Sequence, residues 1–188
     1  AAIGTSCGLL AGFRGGTWDT LVMRGTDVLL AFPGILLAIA IVATLGPSLV
    51  NVIIAVGIGA IPVYTRTVRG STLSVRRMEY VEAARAAGAP AGRLLWRHVL
   101  RNVTAPILVL ATLGVGINIL IAAGLSYVGL GAQPPTPEWG AMLSAARQYL
   151  RDAWWTAVFP GLAITLVVIG VNLLGDGLRD VLDPRLRL

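Results

Sequence analysis

Apolar positions in this chain come in long runs broken by short polar stretches, and the runs carry almost no charge. Neither an acid nor an arginine occurs from Val28 to Thr65, and none occurs from Val103 to Gln133. Uncharged stretches of this length read as bilayer-spanning. Val28–Leu45 and Leu49–Thr65 are each long enough to cross, and only Gly46, Pro47 and Ser48 separate them, which predicts an antiparallel helical hairpin. Val103–Gly131 can span with tilt or with one end lying at the interface. Ala153–Gly175 opens with Trp154 and Trp155, the residues expected in an aromatic belt. Ala1–Gly12 is apolar but too short, at about 1.5 Å per residue, to cross a core of about 30 Å, and reads as the tail of a helix. The expectation is four full spans and one partial span.

Pro33, Pro62, Pro106 and Pro160 all fall within apolar runs. Proline is tolerated in a membrane helix where neighbours satisfy the freed carbonyl. Gly57, Gly59, Gly114, Gly116, Gly161 and Gly170 would let helices approach closely. Both features read first as packing, ahead of any hinge.

Composition agrees with the pattern. Of the 188 residues, 56% are hydrophobic and only 13% charged, so much of the apolar surface must face something other than water. All 15 basic residues are arginine, so no P-loop, Schiff-base or general-base lysine exists in this sequence. A single histidine, His98, and a single cysteine, Cys7, cannot assemble a metal site of nitrogen and sulfur ligands. The net charge of +6 fits either nucleic-acid binding or the cytoplasmic arginine excess of a membrane protein, and placement decides between them. Arg14 and Arg24 precede the first full span, and Arg66, Arg69, Arg76, Arg77, Arg85, Arg93, Arg97 and Arg101 lie between the second and third. Arg179, Arg185 and Arg187 follow the last, leaving only Arg147 and Arg151 on the opposite side. That asymmetry predicts a cytoplasmic segment from Arg66 to Asn102 and a cytoplasmic C-terminus.

Within residues 66–102, Glu79 to Ala87 is rich in helix formers and is followed by Gly88, a natural helix terminator. A second short helix, Ala91 to Leu100, is expected after the Ala89-Pro90 turn. Ala83, Ala84, Ala86 and Ala87 give the first helix a thin surface that another backbone can approach, while Glu82 and Arg85 can pair with each other or with a partner. Such a helix suits docking in a groove. An amphipathic hairpin resting on anionic headgroups fits equally well. A DNA-binding helix-turn-helix fits poorly, because both ends are tethered to membrane spans and no recognition-helix pattern is present.

Glu82-Ala83-Ala84, then Gly88 after three intervening residues, then His98-Val99-Leu100 after nine more, resembles the EAA motif of permease subunits of bacterial ABC importers. His98, Leu100 and Asn102 are similar to the peptide, nickel and opine branch, although that branch usually has Pro where this chain has Arg101. Asp27 to Pro33, Leu125 to Gly131, Gln133 to Gly140, Asn172 to Asp180 and Asp183-Pro184-Arg185 also resemble that branch, and in particular the second of the two permeases of a dipeptide or oligopeptide importer. The resemblance implies an all-α transmembrane bundle of the type I importer kind over residues 1–188, with residues 66–102 as its cytoplasmic loop. It implies a coupling helix, carried here by Glu79, Tyr80, Glu82, Ala83, Ala84, Arg85 and Gly88, that sits in a cleft of a cytoplasmic ATPase. The implied partners are a second homologous permease, two ABC ATPases that bind the ATP and magnesium, an extracytoplasmic substrate-binding protein and the lipid bilayer of the bacterial inner membrane. The chain itself would hold no cofactor and catalyse nothing. Members of the branch carry a further N-terminal helix and an external segment, so roughly the first third of the family pattern is not represented in this sequence.

On the outer side, Thr136 is expected to cap a helix with Pro137 first and Glu138 in its first turn. Trp139, Met142, Leu143, Ala146 and Leu150 would share one face of that helix. Asn51, Asn118 and Asn172 stand out among the span residues, as interhelical hydrogen-bonding groups or as lining of a substrate path. No charge lies deep in a span, so no ion relay of the secondary-transporter kind is visible. An intramembrane enzyme lacks a nucleophile and base in partnership.

Overall fold

The computed structural model describes residues 1–182, and these residues are almost entirely helical. The predicted C-terminal pattern at Asp183-Pro184-Arg185, with Arg185 and Arg187, lies outside the described residues. In chain order the helices are α1 (Ala2–Arg14), α2 (Gly16–Leu30), α3 (Gly34–Leu45), α4 (Leu49–Arg76) and α5 (Glu79–Ala86). They are followed by α6 (Ala91–Tyr127), α7 (Trp139–Ala146) and α8 (Trp155–Leu182).

Among the described residues, α4, α6 and α8 are each long and apolar enough to cross a membrane. The expected span Val28–Leu45 is not one helix. α2 ends at Leu30, the chain leaves helical geometry through Ala31, Phe32 and Pro33, and α3 restarts at Gly34. Proline has no N–H to give the ladder and disfavours helix in the residue before it. Pro33 instead becomes the cap of α3, with its carbonyl accepting from Leu37 N at 3.0 Å. This pair of helices counts as a fourth crossing only as a broken span. Pro62, Pro106 and Pro160, by contrast, remain inside helices.

The chain divides into two compact units. The first holds Ala1–Ala31, Ala60–Ala111 and the C-terminal stretch from Gly175. Its core is Leu9, Val68, Val75, Val81, Leu94, Val99 and Val103. Here α1 lies directly on α4 because Gly4, Gly8 and Gly12 present no side chain. A Cβ at Gly8 would sit 2.6 Å from the Thr65 carbonyl oxygen, and one at Gly4 would sit 2.7 Å from that of Ile61. This small-xxx-small stripe brings backbones into contact. Among the glycines expected to allow close approach, Gly116 does so, against Asn172 and Val168, while Gly57 and Gly170 face open space.

The second unit holds Phe32–Gly59 and Thr112–Leu174. Its core joins Ala38 and Val42 of α3 to Val52, Ala55 and Val56 of α4 and to Leu125 of α6. That packing is the predicted α3–α4 hairpin, closed at Gly46-Pro47-Ser48.

Candidate functional site

The segment from Arg66 to Asn102 is less of a loop than the sequence suggests. α4 continues past Thr65 to Arg76, and the second short helix is the first part of α6, which runs unbroken to Tyr127. Helix therefore passes through Arg101 with no turn there. Between these long helices stands α5.

α5 starts from Met78, whose extended backbone places its carbonyl to accept from Val81 N at 2.9 Å and Glu82 N at 3.1 Å. Glu79 and Glu82 occupy the first turn and Arg85 the last, each matched in sign to its end of the helix dipole. The helix closes at Gly88, which has φ +82°. Gly88 N donates to Arg85 O at 3.0 Å and Ala89 N to Ala84 O at 3.1 Å, the paired bonds of a Schellman cap.

One face of α5 is anchored. Val81 is fully buried in the first unit's core, and Ala84 and Ala89 pack against the same cluster. α6 meets this face with a π-helical stretch, Leu94–Val99. Its i→i+5 closure brings Leu94 and Val99, five residues apart, onto the same core. Tyr80 and His98 face each other at 6.2 Å between ring centroids, and partial burial pushes the Tyr80 phenol above its ordinary pKa.

The opposite face is open. Glu79, Tyr80, Glu82, Ala83, Arg85, Ala86, Ala87 and Gly88 are exposed. Ala84, expected in the thin docking surface, is only partly exposed because it supports α5 from within. Glu82 and Arg85 form no ion pair with each other; among the described residues, ion pairs occur only at Arg66–Asp27 and Arg69–Asp19.

Three arginines of the predicted cluster are thus structural. Arg69 holds both carboxylate oxygens of Asp19, one at 2.6 Å from Nη2. Arg66 reaches Asp27 at 2.7 Å, and Arg76 Nη1 donates to the Phe13 carbonyl at 2.9 Å, at the end of α1. The sequence reading missed the roles of Asp19 and Asp27, and it missed the glycine stripe, although the spacing of four between Gly4, Gly8 and Gly12 was there to be read.

The three asparagines do not form one group. Asn51 closes the α3–α4 turn, its Nδ2 donating to Leu45 O at 3.0 Å and Gly46 O at 2.9 Å, so its amide is spent on local structure. Asn118 lines an apolar cavity of about 350 Å³ with Ile53, Val56, Gly57 and Val115. Asn172 fills the space left by Gly116. On the other expected feature, α7 is capped by Glu138 and not by Thr136: Glu138 Oε2 accepts from Ala141 N at 2.8 Å. Thr136 precedes Pro137, which disfavours helical geometry there, and the helix starts later. Trp139, Met142 and Leu150 are exposed as one apolar group would be, but Leu143 is half-buried, Ala146 is buried, and Leu150 lies beyond the helix end.

Among the described residues no group of three or more histidine, cysteine, aspartate or glutamate side chains could hold a metal ion. What the arrangement offers is a short, internally braced helix presenting small side chains and, among the described residues, three charges outside any ion pair, Glu79, Glu82 and Arg85.

Comparison with known proteins bears on the chain as a whole. It is similar to the dipeptide transport system permease protein DppC of Alkalihalophilus pseudofirmus, at 54% identity over 98% of the chain and 60% of that protein. It is similar to the glutathione transport system permease protein GsiD of Pectobacterium atrosepticum, at 52% identity over 98% of the chain and 62% of that protein. For GsiD of Escherichia coli the identity is 56% over the whole chain and 62% of that protein. The chain therefore spans about 60% of the length of these curated relatives. A family model described as "binding-protein-dependent transport system inner membrane component" matches residues 4–188. With nearly every residue matched and the helices apolar enough for a bilayer, this integral membrane chain belongs to the family of binding-protein-dependent transport inner membrane components.

Proposed function

We propose that the protein is a permease subunit of an ATP-driven importer for short peptides or peptide-like substrates, and that α5 is its point of contact with a cytoplasmic ATPase. The observation that carries this reading is the two-sided character of α5. Val81 and Ala84 fix it to the rest of the chain, while Glu82, Ala83, Arg85 and Ala86 are exposed with neither charge paired. A helix resting on headgroups would bring its arginines to the lipid and keep acids away from an anionic surface. Glu79 and Glu82 on the exposed side favour a protein groove.

ATP-driven closure of two ATPases would push on α5, and the long helices that flank it, α4 and α6, would carry the movement into the membrane. ATP and magnesium would be held by those partners, with no cofactor in this chain. A second, homologous permease would complete the path, and a binding protein would deliver substrate from outside. The exposed apolar ridge Leu162, Leu166, Ile169 and Leu173 of α8 offers surface for that permease or for lipid. On the path itself, Asn118 in its cavity is the strongest candidate and Asn172 a weaker one. Residues 77–101 would lie in the cytoplasm, where Arg77, Arg85, Arg93, Arg97 and Arg101 have no acid partner among the described residues.

Purification of the protein from native membranes in mild detergent tests the reading. Two ATPase chains and a second permease should come with it, and Glu82→Arg should release the ATPases while leaving the permease pair. Retention of the ATPases by Glu82→Arg together with Ala83→Gln would refute α5 as the contact.

A further inference from the structure

α6 ends with a second Schellman-type turn, in which Leu130 N donates to Leu125 O at 2.9 Å and Gly129 N to Ser126 O at 3.0 Å. The chain then folds back through Gln133, whose Nε2 is held by the carbonyls of Gly129 at 3.0 Å and Gly131 at 3.2 Å. α7 is pressed against α6 at Gly140, where a Cβ would lie 2.2 Å from the Ala123 carbonyl oxygen. Between these pieces lies a cavity of about 660 Å³, lined by Gln133, Pro134, Ala141, Ser144, Arg147 and Gln148 among others. That volume falls in the range of small-molecule sites.

Charge in this cavity has one sign. Among the described residues Arg147 is the only ionisable one in its wall, and its guanidinium stands 5.5 Å over the Tyr127 ring with no ion pair to any of them. The nearest acid in sequence, Asp152, does not line the cavity, and Glu138 on its other side is committed to the cap of α7. Ser144 and Gln148 add neutral hydrogen-bonding groups, and Pro134 and Ala141 add apolar wall. The Ser126 hydroxyl is sealed beneath Gly131 and is not offered to a ligand.

We infer that this cavity binds the free carboxylate of a short peptide through Arg147, as a station on the outer face of the permease. A planar guanidinium takes a carboxylate with two parallel hydrogen bonds, which a primary amide cannot match. The size admits a di- or tripeptide, and the uncharged remainder of the wall tolerates varied side chains. The inference rests on the importer reading for its sidedness and its substrate class.

The test uses the complete transporter, with its partner permease and ATPases, in lipid nanodiscs without the binding protein. Calorimetry follows the binding of dialanine, of glutathione and of dialanine amide. At least one of the first two should bind, the amide about 10-fold or more weakly, and Arg147→Gln should lose about 10-fold while Arg147→Lys recovers part of the loss. Unchanged melting temperatures would show that the variants are folded. No binding of either free peptide by the wild type, equal binding of the amide, or undiminished binding by Arg147→Gln would each overturn the inference. So would an Arg147→Gln variant that binds peptide normally but loses only the docking of the loaded binding protein, since the arginine would then meet an acidic side chain of that protein. Failure of the wild-type complex to import any peptide with its binding protein would strike the importer reading separately.

Discussion

Gly88 turns the chain at φ +82°, a conformation that costs an L-residue about 1–2 kcal/mol. Gly88→Val should therefore loosen α5 and weaken ATPase co-purification, whereas Gly88→Asn, which tolerates the left-handed region, should lose much less. The comparison separates conformation from side-chain bulk. Gly8 makes a different demand, for space. Its Cβ position lies 2.9 Å from Val68 Cβ and 2.6 Å from a backbone oxygen, neither of which can swing aside. Gly8→Ala should cost about 1–3 kcal/mol by forcing α1 off α4, read as a lower melting temperature in detergent. The same substitution at Gly170, which faces open space, should be silent. At this scale the sequence was legible for Gly88, because a glycine closing an alanine-rich helix has one common use. It was not legible for Asn51, for which the sequence offers an interhelical hydrogen bond or a place on the path: the amide reaches back five and six residues to cap a turn, and only coordinates reveal that geometry.

Helices follow the apolar runs closely in number but not in extent. α4 and α6 reach well beyond their hydrophobic stretches because nothing in Arg66–Arg76 or Ala91–Asn102 terminates a helix. Charge ends a span but does not end a helix. Pro33 acts in the opposite way, ending a helix inside an apolar run, and hydrophobicity alone does not separate it from Pro62, Pro106 and Pro160. Two ion pairs hold α2 to α4. Asp19–Arg69 is bidentate with side chains 20% and 31% exposed, whereas Asp27–Arg66 is a single contact between side chains 51% and 55% exposed. Double-mutant cycles should give under about 1 kcal/mol for Asp27–Arg66 and a larger coupling for Asp19–Arg69. Equal couplings would mean that the second carboxylate oxygen adds nothing. The thin surface of α5 was read correctly as a feature of the element, but its inward side was not: Ala84 is indistinguishable from Ala83 in composition, and only the burial of Val81, three residues before it, marks which way it faces.

Sidedness is the property of the whole molecule on which the function depends. With Cys7 replaced by serine, Ala86→Cys should be labelled by an impermeant maleimide only from the cytoplasmic side, and Gln148→Cys only from outside. Labelling of both from one side would break the arginine argument. Family membership was legible from short motifs because each is a contiguous run of residues, whereas the proposed substrate cavity is assembled from the end of α6, the turn after it and α7, which a linear reading does not bring together. The claim that matters most is that α5 engages an ATPase. A photoreactive residue at Ala86, illuminated in intact membranes, tests it most directly: the account expects an adduct with the ATPase chain that disappears in membranes lacking that subunit and is reduced by Glu82→Arg. Adducts with lipid alone, in membranes where the ATPase is present and uptake is normal, would contradict it.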